Sequence, residues 1–135
     1  MKRKIAFRLI AVFIIGISFA ACQKEDENTT EEITRDKYVG TWAANETPVA
    51  KQTWESIITI DATSSNKIKV SKFANLAGNA LVIVSGMNLT IPAQSINGNE
   101  IEGTGKYQNS NLITWSYSVN DGADIKYYTA IYNRK

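Results

Sequence analysis

The chain has 135 residues, is 44% hydrophobic and 21% charged, and carries a formal net charge of +2, a length that leaves room for one domain core. It contains one cysteine and no histidine, which excludes an internal disulfide, a histidine general base, a Cys–His nucleophile pair and the usual zinc ligand sets. Four of the 15 Lys and Arg residues (Lys2, Arg3, Lys4, Arg8) precede residue 22 and no acid does, which leaves 11 bases against 13 acids, a net charge near −2. Without a clustered Lys/Arg footprint, nucleic acid is excluded as a partner.

In chain order, Met1-Lys2-Arg3-Lys4 is a positive start, and Leu9 to Ala21 is an apolar run interrupted weakly by Gly16 and Ser18. About 13 apolar residues make a helix of roughly 20 Å, short of the ~20 residues that cross a bilayer. Residues 1–21 are therefore expected to be a signal peptide. Phe19-Ala20-Ala21-Cys22 resembles the bacterial lipobox, with Phe19 in place of the usual Leu. The resemblance implies cleavage before Cys22, acyl chains such as palmitate on that cysteine, and a membrane anchor without a spanning helix. At about 0.8 kcal/mol per buried CH₂, two or three chains make such an anchor effectively permanent.

The next residues, Gln23-Lys24-Glu25-Asp26-Glu27, resemble the export signal of surface lipoproteins in the Bacteroidota. That resemblance implies an outer-membrane lipoprotein on the cell surface. Residues 22–34 hold Ile33 as their only large apolar side chain, too little to bury, so a disordered acidic tether with a reach of about 20 Å is expected.

Residues 35–135 read as all-β: short runs of β-type alternation broken by Gly, Asn, Asp and Ser, with no 3.6-residue apolar period long enough for a core helix. Strands are predicted over Gly40–Ala44, Thr53–Asp61, Lys67–Phe73, Ala80–Ser85, Asn88–Ile96, Glu100–Tyr107, Leu112–Asn120 and Asp124–Asn133. Asn97-Gly98, Asn120-Asp121-Gly122, Ser85-Gly86 and Gln108-Asn109-Ser110-Asn111 supply hairpin turns, which makes sequential strands antiparallel neighbours.

Alternation places Trp54, Ser56, Ile58 and Ile60 on one face, and Ile113, Trp115, Tyr117 and Val119 on another. Ala80 to Val84 is apolar on both faces, as a strand covered on both sides would be. In the last strand either Ile125, Tyr127, Thr129 and Ile131 or Tyr128, Ala130 and Tyr132 face inward. About eight strands in some 100 residues lose their edges by closing into an up-and-down barrel, with a two-sheet sandwich as the alternative. Gly103 and Gly105 on one face fit a tight bend or a close approach.

Tyr38-Val39-Gly40-Thr41-Trp42 resembles the Gly-x-Trp that opens the first strand of lipocalins and other calycins. The resemblance implies that Trp42 packs across a closed barrel base, under a basic side chain from Arg134 or Lys135. Ile91 to Ile96, Ile101 to Gly105 and Leu112 to Tyr117 are similar to the small lipocalin-like lipoproteins of Bacteroidota. The chain is shorter than a true lipocalin and shows no helix after its last strand. Its interior therefore either holds a ligand or is filled by side chains.

Trp42, Trp54, Trp115, Tyr117, Tyr128 and Tyr132 offer large amphipathic surfaces suited either to a small apolar or glycan ligand or to the core. The acids Glu55, Asp61, Glu100, Glu102, Asp121 and Asp124 fall at strand ends or on outward positions, and no pair shows the contrast that acid/base catalysis needs. Glu100 and Glu102 share a face at a spacing of roughly 6–7 Å, which a solvated outer surface explains. Asn120 to Asp124 lacks the ligand pattern of a calcium loop. No enzyme activity, metal or cofactor is expected. The sequence points to a lipid-anchored binding module for a small ligand, or to a filled barrel that contacts another envelope protein. Mass spectrometry of the mature protein is expected to find an acylated Cys22 as its first residue; a free thiol or a retained leader would contradict the anchor.

Overall fold

The computed structural model describes residues 35–47 and 52–135; the signal peptide and tether expected over residues 1–34, with Cys22, Gln23, Lys24, Glu25, Asp26 and Glu27, lie outside them. Eight strands follow in order: β1 (Gly40–Thr47), β2 (Gln52–Ile60), β3 (Lys67–Ser71), β4 (Asn79–Ser85), β5 (Asn88–Ile96), β6 (Asn99–Asn109), β7 (Leu112–Asn120) and β8 (Ile125–Arg134). Each pairs antiparallel with the next, and β8 returns to pair with β1. The result is a closed up-and-down barrel and not a sandwich. Among the described residues no helix is long and apolar enough to cross a membrane.

The turns obey the chemistry their residues dictate. Asn97 and Gly98 both have positive φ, 48° and 80°, as a two-residue hairpin requires. Within the strands, burial alternates with a period of two. Trp42, Ala44 and Glu46 of β1 point inward, as do Ser56 and Ile58 of β2 and Ile113, Trp115 and Tyr117 of β7. The open question in β8 is resolved by register: Tyr128, Ala130 and Tyr132 lie opposite Tyr117, Trp115 and Ile113. These three therefore face the core, and Tyr127, 77% exposed, faces solvent.

Three expectations are corrected or narrowed. The strand Ala80–Val84 is not covered on both sides, because Ala80, Val82 and Val84 are buried while Leu81 is exposed and Ile83 half-buried on the outer face. Pro92 has no N–H to give the β4–β5 ladder, and the register of β5 with β6 shifts between Ile91 and Gln94. There the Gln94 side-chain amide accepts from the Leu81 N–H and donates to the Leu81 carbonyl, both at 2.8 Å, and so stands in for a peptide group. Of the two roles expected for Gly103 and Gly105, the close approach is the one observed. They lie mid-strand on the inner face opposite Tyr117 and Trp115, and a Cβ on either would come within 2.3 Å of the Ser116 carbonyl or 2.4 Å of the Trp115 ring.

The third, a correction, shapes the interior. Phe73 does not extend β3, which ends at Ser71; Lys72, Ala74 and Asn75 adopt positive φ of 49°, 54° and 56°, and the short 3₁₀ turn Phe73–Asn75 curls into the barrel. The Phe73 ring is fully buried, 5.2 Å from Trp115 and 4.8 Å from Tyr117 between ring centroids, both edge-to-face. Tyr132 joins the cluster at 6.3 Å from Phe73 and 5.6 Å from Trp115. Such contacts each add about 0.5–1.5 kcal/mol beyond area burial.

The opposite end is closed by Trp42. The Arg134 guanidinium lies 4.2 Å from its ring centroid and donates to the carbonyls of Ser110, Val39 and Lys37. Gly40 has φ 140° and a Cβ there would sit 2.8 Å from Arg134 Nη1, so both backbone and space require glycine. The chain enters at this base, where Arg35 Nη1 donates to the carbonyls of Asp61, Ser64 and Lys67. Phe73→Ala is expected to cost about 3–5 kcal/mol in denaturant unfolding, since it empties the middle of the barrel; a loss below about 1 kcal/mol would show that the ring is not part of the core.

Candidate functional site

The candidate aromatics do not form one surface. Trp42 is sealed in the base and its Nε1 donates to the Tyr38 carbonyl at 2.9 Å. Tyr132 and Trp115 are deep in the interior, and Trp115 Nε1 is buried with no hydrogen-bond partner. Trp54 is partly buried, 6.4 Å from Tyr132, and donates to Ser56 Oγ, which in turn donates to the Tyr132 hydroxyl. Tyr117 and Tyr128 are 5.8 Å apart and lead from the packed interior to the end opposite the base.

That end opens into a cavity of about 360 Å³ lined by Glu46, Gln52, Ala74, Leu76, Asn99, Val119, Asp121, Lys126 and Tyr128. Ala74 and Leu76 flank Phe73 in the same connection, so the segment that plugs the interior also builds a wall of the mouth. Of the candidate aromatics, only Tyr128 lines this cavity directly, and Tyr117 reaches it through Glu46.

Glu46 is the polar group at the floor. It is 7% exposed, and its Oε2 accepts a hydrogen bond from the Tyr117 hydroxyl. Burial pushes the Glu46 carboxyl above the usual carboxylate range, and the bond from Tyr117 offsets only part of that rise. Burial also raises the Tyr117 phenol, and Glu46 as acceptor and neighbouring charge raises it further, so Tyr117 stays a neutral donor. Asp121 has the opposite environment: backbone N–H groups of Asp124 and Ala123 donate to Oδ1 and lower its pKa. The mouth thus pairs a carboxylate fixed as an anion at its rim with one whose charge is disfavoured at its floor.

Sequence reasoning missed Glu46 because the first strand was expected to stop at Ala44. Two more residues of alternation, Trp42-Ala44-Glu46, carry the signal. The acids named from the sequence also include one correction. Asp61 directly follows β2 and is only 3% exposed; burial raises its pKa, yet hydrogen bonds from the side chain and backbone of Thr63 and the charge of Lys69, 3.7 Å away, leave it lowered overall. Glu100 and Glu102 are outward on β6, in cross-strand rows with Asn120 and Ser118 and beyond them Ile125 and Tyr127. Among the described residues no group of three acidic, histidine or cysteine side chains is placed to hold a metal ion.

A larger cleft, about 440 Å³, lies at the base between Arg35, Ser65, Asn66 and the β4–β5 turn. Its one charged side chain is committed to three backbone carbonyls, and Arg35 Nε is buried from solvent with no partner. The charged group of this cleft is thus largely committed to the fold, whereas the mouth is lined by two carboxylates and a lysine.

Closed topology, a sealed base and an open mouth define an eight-stranded, lipocalin-like up-and-down barrel. Solved structures with this fold include a redesigned β-barrel, at TM-score 0.55 and 14% identity over 76% of this chain and 95% of that one. The chain is also similar to EF1p2_mFAP2b bound to DFHBI, at TM-score 0.53 and 15% identity over 76% of this chain and 97% of that one. No family profile and no curated protein sequence matches the chain.

An acid with a raised pKa in the folded state holds a proton that the unfolded chain has already lost, so stability falls as pH rises through the window between the two values and stays lower above it. Glu46→Gln keeps an oxygen to accept from Tyr117 and removes that loss. Thermal melts are expected to show the variant more stable than the parent near neutral pH and equal to it below about pH 4; a variant less stable at neutral pH would mean that the ionised carboxylate is held favourably.

Proposed function

We propose that the protein is a lipid-anchored cell-envelope lipoprotein, displayed on the outer membrane surface, that binds a small apolar or glycan ligand at the barrel mouth. The observation that carries this reading is the mouth cavity itself: about 360 Å³, walled by Leu76, Val119 and Tyr128 with a nearly buried carboxylate at its floor. Small-molecule sites have this make-up, apolar walls around a few placed polar groups. A barrel of the same fold, EF1p2_mFAP2b, is bound to DFHBI, which supports the capacity of such a barrel for a small molecule.

The anchor rests on Cys22 and the residues around it. Arg35, where the tether meets the domain, is fastened at the base, so a lipid on Cys22 would leave the mouth directed away from the membrane. The reading is of a binder and not an enzyme. A second reading, a filled barrel acting as an accessory to another envelope protein, is favoured by the packed Phe73 cluster and by Ile125, Tyr127 and Ile131 exposed on the outer face of β8.

The two readings separate in one titration series. Lipids, haem and oligosaccharides added to the protein are expected to include at least one that raises the melting temperature and quenches tryptophan fluorescence. If none does, and crosslinking on intact cells captures a protein through β8, the accessory reading replaces the first.

A further inference from the structure

The mouth has a polarity beyond its shape. Among the described residues its lining holds two carboxylates, Glu46 and Asp121, against one ammonium, Lys126. Neither of the ion pairs formed by described residues involves Glu46; they join Lys69 to Asp61 and Lys135 to Glu55. Among the described residues Tyr117 is the side chain that bonds Glu46, at Oε2, and Glu46 lines the cavity.

A carboxylate accepts hydrogen bonds and donates none when ionised. Held nine-tenths out of water with a single neutral donor, it gains most from a ligand that brings a positive charge and N–H donors together. The wall beside it is Tyr128, whose ring lies tilted 5.8 Å from that of Tyr117, with Val119, Leu76 and Ala74 completing an apolar surface. An aromatic face next to a largely buried carboxylate is matched by an apolar or aromatic body carrying a cation.

Taking the mouth as the binding site, we infer that its ligand is a small amine with an apolar or aromatic body, its ammonium donating to Glu46 and its body lying against Tyr128, Val119 and Leu76. Asp121 at the rim raises the local concentration of cations, and Lys126 opposes it. Anionic ligands of the same shape are disfavoured twice, by Glu46 at the floor and by Asp121 at the rim. A neutral ligand fills the apolar walls but leaves the carboxylate without a cation.

The test compares three molecules of one shape on the full chain: 2-phenylethylamine, 2-phenylethanol and phenylacetate, with binding located by NMR shifts of Tyr128 and Val119. The amine is expected to bind about tenfold or more tightly than the alcohol, as a charge-assisted bond allows, and phenylacetate most weakly. Glu46→Gln is expected to erase the amine's advantage over the alcohol. Lys126→Gln, an exposed substitution that leaves the core untouched, is expected to tighten the amine by roughly two- to threefold at low salt.

Equal binding of amine and alcohol, preference for phenylacetate, or an amine preference that survives Glu46→Gln would overturn the inference and leave the mouth a binding site of another class. Absence of all three from the mouth, with Tyr128 and Val119 unmoved, would overturn this inference; the binding-module reading falls only if the lipids, haem and oligosaccharides also fail to bind.

Discussion

An eight-stranded antiparallel barrel encloses a space that side chains just fill or that holds one small ligand, and in this chain Phe73 decides which. Three residues with positive φ, Lys72, Ala74 and Asn75, turn the β3–β4 connection inward and set the ring among Trp115, Tyr117 and Tyr132. The aromatic cluster depends on room made elsewhere: Gly103 and Gly105 have no side chains, which lets Tyr117 and Trp115 lie against β6. With the middle occupied by Phe73, the cavity at the mouth lies beside the connection that carries the plug. The same plug brings Ala74 and Leu76 to the mouth wall and leaves Glu46 as its floor.

The base works by a different device. Trp42 is held under Arg134, whose three donors are spent on the carbonyls of Ser110, Val39 and Lys37. These bonds tie the last strand to the segment before the first and close the barrel where the chain enters. One end is thereby tied together by side-chain hydrogen bonds to backbone carbonyls, and the other carries a largely buried carboxylate that lines a cavity. This asymmetry gives the fold a direction, with a closed base at one end and an open mouth at the other.

Most of the strand order was legible because each turn carries residues that tolerate positive φ and each strand alternates in burial. Register could not be read where both faces are apolar. Leu81 and Ile83 look like core residues and are not, because neither has a strand or helix outside it to cover it. β8 offered two equivalent inward sets until pairing with β7 placed Tyr128 on Tyr117 and Tyr132 on Ile113. Phe73 carried a weak signal in its phase: continuing Ile68 and Val70 by two puts Lys72, not Phe73, inside, so a strand through Phe73 was already in conflict with its own alternation. Glu46 was hidden by a boundary two residues short, the kind of error that a carboxylate on an inner face invites, since acids are rarely buried without a partner.

Whether the centre of the barrel is filled is settled most directly by crystals of the protein under xenon pressure, because xenon enters dry apolar voids. The plug predicts no xenon between Phe73, Trp115, Tyr117 and Tyr132. A xenon atom bound among those four rings would show a hollow interior and move the binding site from the mouth to the centre.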